Sequence, residues 1–95
     1  MELTKEQTMM LNEIWNELKY RLIEFARHTR SKDVTIVSSV NNIKSDMLKL
    51  FSNYTEQEDN IALEFITFVI DSVIATTSLS KTIEKVDTVY HLSNF

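Results

Sequence analysis

The chain has 95 residues, 43% hydrophobic and 25% charged, with a net charge of −4 and an isoelectric point near 5.1. That composition suits one folded domain with a modest core, and its acidic balance counts against a protein built mainly to grip phosphate backbones. The absence of cysteine excludes disulfides and thiolate metal sites, while the absence of both glycine and proline removes the residues on which hairpin turns and long ordered loops depend. The expectation is an all-α fold: a small antiparallel bundle of three to four helices forming a single domain over 1–95. Periodicity and end signals place the helices at about 5–30, 34–53, 56–76 and 81–92.

The first predicted helix opens at Thr4. Thr4 and Gln7 have the spacing of a capping box, in which each side chain takes the other residue's backbone amide. Leu11, Ile14, Trp15, Leu18, Leu22 and Phe25 then recur at three- and four-residue steps and define one core stripe. On the opposite side Met9, Asn16, Tyr20, Ile23 and Arg27 form a second, partly apolar row. Tyr, Met and Arg are enriched where proteins meet, so this row is the expected partner-binding face. Arg27, His28, Arg30 and Lys32 gather where positive charge complements a helix C-terminus. As a phosphate-binding patch they are weak, with no aromatic residue interleaved.

Arg21 and His28, separated by six residues, resemble the loose Arg-x4–6-His motif of HEPN-type RNases. That resemblance would imply a small helical dimer in which the pair acts on RNA phosphodiesters at a shared cleft. It covers these two residues alone. The pair sits in the first helix, where the family usually carries its motif nearer the C-terminus, and Leu22 follows the arginine where that family often has a polar residue. Glu24 and His28 at i,i+4, with cations completing the helix end, account for the same residues without catalysis.

The second predicted helix follows Asp33, a candidate cap. "VTIVSSV" alone reads as a strand, but Ile36, Val40, Ile43, Met47, Leu50, Phe51 and Tyr54 hold helical spacing for about five turns. Thr55 to Glu58 has the form of a second capping box, with Glu56, Glu58 and Asp59 suiting the positive end of a third helix. Calcium is not expected there, because the stretch lacks the alternating ligand order and the turn glycine.

The third predicted helix, "IALEFITFVIDSVIA", is unusually apolar. It is too short for a membrane span and carries Glu64 and Asp71. Asn60, Glu64, Thr67 and Asp71 share one narrow polar stripe, which leaves an apolar arc of roughly 220–240°, about twice what an outer bundle helix needs. Such a helix must be covered on two sides. Either it is the centre of the domain or it lends a face to a second copy. The residues expected at such an oligomer contact are Phe65, Ile66, Val69, Ile70, Val73 and Ile74. Residues 76–81 form a weak joint, and Leu79, Ile83, Val86 and Tyr90 mark the last helix.

His28 and His91 are far apart and without paired-carboxylate spacing, so neither a metal nor a cofactor is expected. No serine or threonine has the setting of an activated nucleophile. The chain thus reads as a cytoplasmic, non-enzymatic protein acting through protein–protein contacts: an inhibitor, an immunity-type protein, a chaperone-like adaptor or a regulator. Its expected partner is itself, as a homodimer, or another protein; nucleic acid is disfavoured and no membrane is involved. The alternatives are the HEPN-like RNase using Arg21 and His28, and a DNA-binding transcriptional regulator.

Overall fold

A computed structural model describes residues 3–28, 35–57, 59–76 and 78–92; the side chains of Thr35 and Ile36 are outside that description. Among these described residues five helices follow in order: α1 (Lys5–His28), α2 (Thr35–Leu50), the single turn α3 (Ser52–Thr55), α4 (Ile61–Thr76) and α5 (Leu79–Tyr90). The described residues contain no strand. The fold is an all-α bundle, as the lack of glycine and proline predicts.

The start of α1 is the capping box that its sequence spells. The Gln7 backbone N–H donates to Thr4 Oγ1 and the Thr4 N–H donates to Gln7 Oε1, each at 3.0 Å. Two amides that would otherwise lack partners are thereby satisfied. Leu11, Ile14, Trp15, Leu18 and Leu22 are buried along the inner stripe, and Phe25 is half-buried at its end.

The segment after α2 departs from the expected pattern. Phe51 leaves helical geometry and the chain makes one turn, α3, before turning again. Thr55 is therefore not the cap of the next helix. It closes α3, is buried, and its hydroxyl donates to the Leu48 carbonyl oxygen at 3.3 Å. The helix begins instead at Ile61, whose N–H donates to Asp59 Oδ1 at 3.4 Å, with Asn60 in the left-handed region at φ 56°. A short polar residue bonding locally tolerates that conformation, which supplies the reversal without glycine. Leu50, assigned to the inner stripe by periodicity, is 53% exposed, because the helix ends at that residue and Phe51 takes the buried position. Asp33, Arg30, Lys32 and Glu58 lie outside the described residues, as does the side chain of Ile36.

The joint near residue 78 is a true break. Thr76 Oγ1 donates to the Ser72 carbonyl at 2.8 Å, α4 stops, and Ser78 Oγ accepts from the Lys81 N–H at 3.4 Å to cap α5. Thr82, fully buried, returns a hydroxyl bond to the Ser78 carbonyl at 3.1 Å. At the far end His91 adopts φ 58° and its N–H donates to the Asp87 carbonyl, a left-handed cap that glycine usually provides.

The apolar excess of α4 has an internal explanation. This helix packs against α1, α2, α3 and α5, so it is the centre of the bundle. Ala62, Phe65, Ile66, Val69 and Ile70 are fully buried, while Glu64 and Asp71 on the polar stripe are exposed. Phe65 stands edge-on to Trp15 of α1, with centroids 6.0 Å apart, and to Tyr90 of α5 at 4.9 Å; Phe68 also meets Tyr90 at 5.6 Å. This aromatic chain ties three helices together, each contact worth about 0.5–1.5 kcal/mol beyond its buried area. Trp15 Nε1 is buried with no hydrogen-bond partner among the described residues, which costs about 1–3 kcal/mol. The Lys19 ammonium lies 5.4 Å from the centroid of the Trp15 ring and shields its edge of the core.

Candidate partner-binding surface

A helix of a bundle turns one stripe inward and leaves the opposite side to solvent, and on α1 that outer side is not uniformly polar. Met9, Asn16, Tyr20, Ile23 and Arg27 are all exposed, as their spacing predicts. Met9 is 63% exposed, Tyr20 62% and Ile23 37%, on a helix whose inner stripe from Leu11 to Leu18 is fully buried. At 1.5 Å per residue the row runs about 27 Å along the helix. Arg27 pairs with Glu24, 3.3 Å away, and Glu24 also faces His28 at 3.6 Å.

The six residues expected at an oligomer contact fall into two groups. Phe65, Ile66, Val69 and Ile70 are fully buried within one chain, so a second copy could not touch them without opening the bundle. Val73 and Ile74 are half-buried, packed against the core near the end of α4. The physical reason is position: a central helix needs an apolar arc wide enough for every neighbour.

Arg21 and His28 share one flank of α1, about 10 Å apart along the axis, with Arg21 half-buried beside α2 and His28 exposed. Arg21 Nε donates to Glu17 Oε2 at 2.7 Å, and its Nη1 lies 3.9 Å from Asp46 Oδ2 of α2. Two carboxylates thus engage the guanidinium, and a third, shared with Arg27, faces His28.

Sequence reasoning missed a second feature. An open groove of about 580 Å³ separates the N-terminal half of α1 from α3 and the turn after it. Met9, Met10 and Tyr54 contribute its apolar surface; Glu6, Glu13 and Asp59 contribute three carboxylates. The Tyr54 hydroxyl donates to Glu13 Oε1 at 3.4 Å across the groove. Asp59 and Met9 are fifty residues apart in sequence, and only the reversal at α3 brings them together. The one legible signal was the pairing of exposed Met9 with Glu13 on a single face of the helix.

Among the described residues two titrations are shifted. Burial lowers the pKa of Lys19, and burial followed by the nearby Glu64 charge raises that of Tyr90. Both groups belong to the aromatic core rather than to the outer row. Among the described residues no group of three or more acidic or histidine side chains is placed to hold a metal ion, and no helix is long and apolar enough to cross a membrane. Compared with known protein families, characterised proteins and solved structures, the chain matches none.

Proposed function

We propose that this chain is a non-enzymatic helical protein that works by protein–protein contact through the outer face of α1, with the cytoplasm as its expected compartment. The observation that carries this reading is the exposed row Met9–Tyr20–Ile23, flanked by Asn16 and Arg27. Tyrosine and arginine supply much of the energy at interfaces, and the row sits on a rigid helix whose core stripe is already filled. Self-association belongs to the same reading but moves from α4 to α1, because four of the α4 residues are covered by their own chain. An inhibitor, an immunity-type protein, an adaptor or a regulator would all use such a face.

The test is a photo-crosslinking residue placed at Tyr20, compared with one at exposed Ser45 of α2, in cells producing the protein. Discrete adducts from position 20 that vanish when Ile23→Glu is added support the reading. Indistinguishable labelling from the two positions overturns it. Light scattering over a concentration series then shows whether the adduct is a second copy: a dimer that Ile23→Glu converts to monomer assigns the face to self-association, and a monomer throughout assigns it to a different protein.

A further inference from the structure

We infer that the groove between the N-terminal half of α1 and the α3–α4 turn docks a basic, partly apolar helical segment of a partner protein. The inference rests on the reading that α1 binds protein, and it names the chemistry of what is bound.

The groove is single-signed. Glu6, Glu13 and Asp59 are exposed at its edges, and no lysine, arginine or histidine is among the described residues that line it. The depression beside α5 differs: Lys81 and Lys85 line it together with Glu84, so it has no such preference. The positive end of α1 contributes about half a unit charge near Thr4, which three carboxylates outweigh. A cation entering here gains charge-assisted hydrogen bonds and is steered in by the local field.

The floor determines what accompanies that cation. Met9 is largely exposed and Met10 is half-buried against the core, both unbranched thioethers that adapt to irregular apolar shapes. The half-buried Tyr54 ring stacks on Phe51 at 6.2 Å, which fixes the opposite wall. An apolar side chain from the partner would therefore meet a yielding surface on one side and a rigid one on the other.

Spacing completes the pattern. Glu6 and Glu13 are seven residues apart on α1, two turns or about 10 Å, with Met9 and Met10 between them. A partner helix with basic residues at i and i+7 and apolar residues at i+3 and i+4 presents the complementary order. A lysine reaches each carboxylate while leucines cover the methionines.

The experiment titrates the isotope-labelled full chain with a synthetic helix of that pattern, lysines at i and i+7 with leucines between, followed by amide chemical shifts. The matching peptide with glutamates replacing lysines is the control. Saturable shifts centred on Met9, Met10, Glu13 and Tyr54 are expected with the lysine peptide alone. Glu13→Lys should weaken binding by about tenfold, whereas Glu84→Lys, an equal change in net charge on α5, should leave it unchanged. Absence of saturable binding, equal binding of the glutamate peptide, or equal weakening by Glu84→Lys overturns the inference. Shifts confined to Tyr20–Arg27 also overturn the groove but leave the α1 reading intact, which keeps the two failures apart.

Discussion

Helices α4 and α1 make opposite use of apolar residues. α4 is the more apolar by far, yet its surplus is spent inside the chain, because it touches every other helix of the bundle. α1 is poorer in apolar residues but leaves Met9, Tyr20 and Ile23 in solvent. A wide apolar arc reports how many neighbours a helix has, not how sticky the protein is. Under the proposed reading, association draws on apolar residues left over after packing, such as those on the less greasy helix.

The sharpest way to break this contrast is at Ile70 and Val73, one turn apart on α4. Ile70→Glu places a carboxylate where nothing can pair with it, at a cost of several kcal/mol, and should abolish the cooperative thermal transition. Val73→Glu is half-exposed and should leave a folded protein with a lowered midpoint in the same melt. Equal tolerance of both would mean that α4 is not the centre. Next in size is Ser78→Ala, which removes the cap of α5 and should cost about 1 kcal/mol by urea denaturation. His91→Gly acts with the opposite sign at the other end of α5. Relieving a left-handed histidine should raise stability by roughly 0.5–1 kcal/mol in the same measurement.

A smaller effect is the alkaline limb. Tyr90 holds its proton more tightly in the folded than in the unfolded chain, because its ring is buried and Glu64 is near. Above its ordinary pKa of 10.0 the unfolded chain binds fewer protons, so stability falls as pH rises through the folded value. Lys19, whose pKa is lowered by burial, acts in the reverse sense near 10.5: its desolvation cost is present while it is charged and disappears as it deprotonates. It partly offsets the tyrosine. Tyr90→Phe should therefore flatten or reverse the loss of melting temperature between pH 9 and 11. Tyr20→Ser should have the least effect on folding, within about 0.5 kcal/mol of the parent, and that neutrality separates the exposed row of α1 from residues that build the core.

Much of the bundle was legible from local chemistry. The Thr4–Gln7 box forms as written, the inner stripe of α1 is the buried one, and Glu64 and Asp71 mark the solvent side of α4. Those are properties of one helix at a time, set by a 3.6-residue period and by unpaired amides at helix ends. The failures lie where two segments compete for one residue. Thr55 has the sequence of an N-cap, but the Leu48 carbonyl, left without a helical partner as α2 ends, takes its hydroxyl. Leu50 fits the stripe of α2, but Phe51 is larger and occupies the core once the helix stops.

The candidate site divides the same way. The outer row of α1 could be found from spacing, since residues at i, i+7, i+11 and i+14 must share a face whatever surrounds them. The groove could not, because Asp59 and Tyr54 reach Met9 and Glu13 only through the reversal after α2. By itself the sequence determined that the chain is helical, where its caps can form and which side of each helix avoids water, all consequences of composition and period. Tertiary structure alone decided which helix is central, and hence which apolar residues are already covered and which remain for another molecule. Periodicity specifies faces, while burial depends on neighbours, and neighbours are set by turns that bring distant residues together.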